Sequence, residues 1–218
     1  MKSELANANI VVVANQFNVS LFNLLWFIKN DIFREEDVIA SESIFIPVAV
    51  QIGTPNSHLL IVPERLQMML KKPEQDQAPV ESVIKIIQKL PETPYVALGM
   101  NVIWHLSFDD GNELGEFTRR NFTHPSHRLF SHFSDADARF GAYLSKNFDA
   151  FRLKLDIKPV MVGVGTTKAE KLQLSFNFNL DIANCQDKAS SMKESLAKWP
   201  DIFAEAIDIV NLFDEQRQ

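Results

Sequence analysis

The sequence predicts an α+β protein built on an antiparallel (mixed) sheet with helices packed mainly on one face, and three observations carry that expectation. First, Tyr95 to Phe108 sets large apolar residues at every second position: Val96, Leu98, Met100, Val102, Trp104, Leu106 and Phe108. Between them stand Ala97, Gly99, Asn101, Ile103, His105 and Ser107, smaller or more polar with one exception, so one strand face is buried and the other is lightly covered or wet. Second, Phe151 to Lys158 and Lys171 to Ile182 repeat the period with a wholly polar outer set, as sheets open to water on one side do. Third, stretches of helical spacing separate these runs, as at Val80, Val83, Ile84, Ile87 and Leu90.

The totals agree. A chain of 218 residues with 46% hydrophobic content can bury a full core. The expected organisation is one compact unit over 1–218, made of a first half, 1–94, and a second half, 95–218. Twenty-two basic residues against 28 acidic ones give a net charge of −6, which weighs against a surface held to nucleic acid by phosphate contacts. Cys185 is the only cysteine, so an internal disulfide and a thiolate zinc site are both excluded and a reducing, cytoplasmic setting fits best. The apolar run Ile10 to Ala14 is too short for a signal-peptide core or a membrane span.

In chain order, Ile10 to Val13 read as a strand buried on both faces. A helix follows over Val19 to Phe33, capped by Asn18 or Ser20 and apolar on most sides. Arg34 to Ser43 reads as a charged connection. Ile44, Ile46, Val48, Val50 and Ile52 make a second strand, at an edge because of Pro47, and His58 to Val62 returns as a third. Lys71 to Pro79 is linker-like and leads into the helix that ends before Pro91. After Tyr95 to Phe108 the pattern breaks from Asp109 to Phe133. A helix capped by Ser134 or Asp135 then runs to about Lys146, the strands of 151–158 and 171–182 follow, and a C-terminal helix opens on the Ser191 and Glu194 capping box and is kinked or split in two by Pro200.

Each half thus reads β-α-β-β-α, a pseudo-duplicated arrangement. In its order of elements alone this resembles duplicated α+β folds of the ferredoxin-like and TATA-binding kind, and topology confers no function.

Candidate chemistry concentrates in Asp109 to Phe133. His124, His127 and His132 could share one cation with Asp135 or Asp137, although no HExxH spacing places them on one helical face. His105 with Asn101 forms a second candidate, a ligand-binding pair or a general base on a wet sheet face. Gly163 to Lys168 looks like a phosphate loop but joins two strands, which makes it a hairpin tip. Cys185 lacks the electropositive surroundings a reactive thiol needs.

The function expected is therefore a cofactor-free, non-enzymatic protein-binding or scaffold protein of the cytosol that self-associates. Phe22, Trp26, Phe27 and Phe33 are its expected partner surface, because they exceed what one sheet face needs. Two alternatives stand beside it: a metal-assisted hydrolase or nuclease using the histidine loop, and nucleic-acid binding by Arg152, Lys154, Lys158 and Lys171 on the open face.

Overall fold

The computed structural model describes residues 1–124, 126–163 and 168–215. The first strand, β1 (Lys2–Ala14), is followed by a 3-10 turn and the short helix α1 (Leu24–Lys29). Four strands come next: β2 (Ile39–Ile46), β3 (Ala49–Gly53), β4 (Ser57–Val62) and β5 (Arg65–Leu70). Helix α2 (Ala78–Lys89) leads to β6 (Tyr95–Ser107), then α3 (Gly111–Phe122) and α4 (Arg128–Ser131). The chain closes with β7 (Ala142–Phe148), β8 (Phe151–Val162), β9 (Ala169–Asp181), α5 (Lys188–Leu196) and α6 (Trp199–Glu215).

Among the described residues the strands form one sheet in the order β2-β3-β4-β5-β1-β6-β9-β8-β7, with every neighbouring pair antiparallel. The fold is α+β. Strands β1 and β6 sit side by side at the centre, and from each of them the later strands of the same half run outward in reverse chain order.

One sheet face is closed and the other is not. On β1, Ile10 and Val12 are fully buried while Val11 and Val13 are half-buried; on β4, Leu59 and Ile61 are buried while Leu60 and Val62 are half-buried. The expectation of a first strand buried on both faces is thereby corrected. Buried strand residues join Val83, Ile87, Leu114, Trp199, Ile202 and Val210 of the helices in one core. Helix α6 packs on β6 and β9, and α2 packs on β5 and against α5.

The units differ from β-α-β-β-α in ways with local causes. The run Ile44 to Ile52 is a hairpin, because Pro47 and Val48 form a two-residue turn that brings Ile46 opposite Ala49. A second such turn at Pro63 and Glu64 adds β5, opposite Val62, a strand absent from the sequence expectation. The long connection after Phe108 contains α3, whose cap is Asp110, accepting from the backbone N–H groups of Asn112 and Glu113 at 2.8 and 2.9 Å. The helix expected through Phe140 to Lys146 is instead strand β7, paired residue for residue with β8 from Ala142↔Ile157 to Phe148↔Phe151. Asp149, at φ 50°, turns the chain between them. In the last part, α5 is capped by Asp187, not by Ser191, and the helix does divide next to Pro200.

The expected Val19 to Phe33 helix is also shorter. Asn23 caps α1, accepting from the Trp26 N–H at 2.9 Å, and Asp31, at φ 54°, ends the segment two residues after the helix. A short helix between irregular flanks displays its apolar residues all round, which is why the stripe looked too wide.

Candidate interaction face of the sheet

The half-buried face carries Asn101, His105, Arg152, Lys154, Lys158 and Lys171 of the residues singled out from the sequence. Strand registers place its side chains in rows that cross the sheet at right angles to the strands. One row passes through all nine strands: Ile44, Gln51, Leu60, Gln67, Val11, Gly99, Asn179, Arg152 and Asn147. Its first five members carry no charge.

The part of this face on β2, β3, β4, β5 and β1 is largely apolar. Ile44 is 51% exposed, Ile46 49% and Met69 38%, with Leu60, Val62, Val11 and Val13 half-buried around them. Arg65 is the charged residue in its outer row, opposite Val62 and Val13. At the far corner Glu42 lies against Gly53, where a β-carbon would collide with it, and pairs with Lys71 at 3.5 Å.

On β6, β9, β8 and β7 the same face is polar and bonded to itself. A chain of side-chain amides crosses three strands: Asn177 donates to Asn101 at 2.6 Å, Asn101 to Asn9 at 2.9 Å, and Asn9 to Asn7 at 2.7 Å. Gln173 lies 3.2 Å from His105 Nε2 and donates to Ser175 at 2.9 Å. Lys158 pairs with Asp156 at 2.6 Å, Lys171 pairs with Glu4, and Arg152 donates to Asn147 at 2.9 Å. The Lys171 hydrogen bond, helped by the charges of Lys171, His105 and Lys2, holds the Glu4 carboxyl below the usual carboxylate range despite its partial burial.

Asn101 and His105 therefore belong to separate networks. Asn101 is the middle amide of the chain, whereas His105 faces Gln173 and Glu4 across the strands, so the two do not form a base and its orienting partner.

The loop histidines have local partners too. His124 Nδ1 lies 2.7 Å from the Ser126 hydroxyl. His127 Nδ1 accepts from the Leu129 N–H at 3.2 Å as the cap of α4, and His132 ends the same helix. Among the described residues no three His, Cys, Asp or Glu side chains are placed to hold a metal ion. The segment is tied down by Arg119, which donates to the carbonyls of Phe133 and Asp135 at 3.1 and 2.8 Å, and by Arg139, which pairs with Glu170 at 3.0 Å.

The aromatics expected at the partner surface are mostly internal. Phe22 is 3% exposed and Phe27 is fully buried; they stack at 5.7 Å, with Trp26 edge-on to both and Phe33 5.6 Å from Phe27. Each ring supplies cover for the next, so the surplus that suggested a partner is consumed within the chain. The exposed apolar side chains of the open face were not singled out from the sequence. Their signal was the unbroken run Leu59-Leu60-Ile61-Val62, which gives a strand apolar residues on both faces.

A cleft of about 880 Å³ lies between the end of α1, the β3–β4 turn and the start of α2. It is lined by Glu35, Glu36, Asp37 and Asp76 with Arg34 and Lys85, and Lys85 donates to the Asp31 carbonyl at 2.7 Å. Cys185 packs half-buried against the core. Of Gly163 to Lys168, expected as a hairpin tip, residues 164–167 lie outside the described residues; the flanking pair Val162↔Ala169 is in register. Among the described residues no helix is long and apolar enough to cross a membrane. No protein-family model matches this chain, and no curated protein matches it in sequence.

Proposed function

We propose that this chain is a non-enzymatic protein-binding module of the cytosol that self-associates, and that it works from the open face of its sheet, not from its first helix. The reading takes the helices as lying on the buried face and the two outward-running halves as a pseudo-duplicated platform. The observation that supports it is the largely apolar half of the open face. Ile44 and Ile46 stand about half exposed on β2, one strand away from Leu60 and Val62 of β4, on a surface five strands wide. Contiguous apolar surface of that breadth marks protein contact more often than chemistry. The partnered histidines and the two separate networks around Asn101 and His105 supply no assembled acid, base or nucleophile to set against it.

A photo-crosslinking residue in place of Leu60 tests the reading in the cell. Protein adducts are expected at position 60 and not when the same group replaces Lys154 in the polar half. Equal yields at the two positions, or none at position 60, would dismiss it.

A further inference from the structure

Resting on that reading, we infer that the occupant of the apolar half-face is a second copy of this chain, packed sheet against sheet about a two-fold axis. The surface fits itself in charge, in size and in shape.

The charge argument comes first. Ile44, Ile46, Leu60, Val62, Met69 and Val11 surround Gln51 and Gln67; Arg65 stands in one end row, and His58 stands in the other, with the Glu42–Lys71 pair at its corner. A two-fold axis along the row of Leu60, Gln67 and Val11 sends the partner's end row to the opposite end of the patch. Arg65 and its symmetry mate then lie four residues apart along the strands, about 14 Å. That exceeds the Debye length of about 8 Å at physiological ionic strength, so the two Arg65 side chains are not forced together. A nucleic acid or a lipid headgroup would need cations here, and a strongly charged peptide would need countercharges. A largely apolar patch of equal extent is what a second copy brings.

Size sets the strength. Five strands at about 4.8 Å spacing and five residues at about 3.4 Å rise give a footprint of roughly 24 by 17 Å, or ~400 Å² on each copy. Pleated side chains expose more area than their flat footprint, yet the total falls at or below the ~800 Å² per partner of a standard interface. The dimer should therefore be concentration-dependent, with a dissociation constant on the order of micromolar, not a permanent assembly. Shape is compatible, since twisted sheets pack face to face with strands about 30° apart and the polar halves can then diverge into water.

The edges of the sheet offer the competing route. Strand β2 is irregular, with its register shifted between Ile39 and Ile44, whereas β7 is paired to β8 without a break, and its outer edge has Tyr143 64% and Leu144 54% exposed. Addition of a second copy at β7 would use backbone groups and ignore the apolar half-face.

Sedimentation velocity of the full chain, from about 1 to about 100 μM, bracketing the expected micromolar constant, separates these outcomes. Mass should rise from 24.8 kDa towards twice that value in the wild type. Ile46→Lys and Leu60→Lys should stay monomeric over the same range with unchanged circular dichroism, while Lys154→Gln and Ser145→Pro dimerise like the wild type. A wild type that is monomeric throughout overturns the second copy; adducts to a different protein at position 60 would then still uphold the protein-binding reading. A dimer that survives both lysine variants and is lost in Ser145→Pro overturns the face-to-face arrangement in favour of the β7 edge.

Discussion

The two halves of the open face share a backbone plan and a buried side, and they differ only in what points outward. On β6, β9, β8 and the first part of β1 the outward set completes itself: amide meets amide from Asn177 to Asn7, and Lys158 and Lys171 meet Asp156 and Glu4. On β2 to β5 and the last part of β1 the outward set is chiefly Ile44, Ile46, Leu60, Val62, Met69, Val11 and Val13, with Gln51, His58, Arg65 and Gln67 among them, and the apolar members have no hydrogen bonds to make in place of contact with water. A sheet face can be finished by hydrogen bonds among its own side chains or by burial under something else. This protein does the first on one half, and its other half is suited to the second.

The largest effect expected is at the seam between the halves. Tyr95 opens β6 opposite Ala14 of β1, is fully buried, and donates its hydroxyl to the Leu90 carbonyl at 3.0 Å. Burial pushes its phenol up to about 12, against about 10 for an unfolded chain. A raised value means that the folded state favours the neutral phenol. Its contribution is therefore intact below about pH 10 and is lost as pH rises from there to about 12, at a cost approaching ~3 kcal/mol. Urea unfolding at pH 9 and pH 11.5 should show that loss in the wild type and a flatter profile in Tyr95→Phe. If the halves are one cooperative unit, both should unfold in a single transition at either pH; two transitions at the higher pH would show that the halves are joined only loosely there.

The next effect separates the halves directly. Asn101→Leu leaves Asn9 Oδ1, in a residue 9% exposed, and Asn177 Nδ2 without their amide partner, and should cost about 1–3 kcal/mol. Gln67→Leu, a half-buried residue in the apolar half, should change stability by less than about 0.5 kcal/mol. Comparing their urea midpoints tests whether the polar half is held by its own side-chain network. Equal midpoints would mean that the amide chain is surface decoration.

Much of this plan is legible in the sequence, and the failures have identifiable causes. The Tyr95 strand, the Pro79 helix and the two alternating strands near 151–182 stand where period and propensity put them, because each is long, regular and bounded by turn residues. The Pro47–Val48 turn escaped because a two-residue turn leaves the alternation of apolar residues unbroken on either side. Strand β7 escaped because Phe140, Tyr143 and Leu144 also satisfy helical spacing, and pairing with β8 outweighs that local preference. Helix α3 was missed although Asp110 caps it and Leu114, Phe117 and Phe122 mark its inner face, since charged residues dominate the rest. The candidate face was legible least of all. Alternation says that Ile44 and Ile46 share a side, but which side the core takes depends on register across the whole sheet.

The smallest effect concerns the ionic rim of the polar half. Glu4 faces His105 across the β1–β6 pair and is bound by Lys171, which lowers its carboxyl below the ordinary range. A lowered value contributes stability that is present above the unfolded carboxylate range, about pH 4.3, and is lost as pH falls through the folded value. The Glu4 side chain is 45% exposed, so the pair is screened and should contribute less than about 1 kcal/mol. Glu4→Gln should therefore unfold slightly earlier than the wild type at pH 7 in low salt, and the difference should vanish both near pH 2 and at about 1 M salt, where screening reaches within about 3 Å. A gap that persists at high salt would mean that Glu4 acts through packing, and the polar half would then resemble the apolar half more than its hydrogen bonds imply.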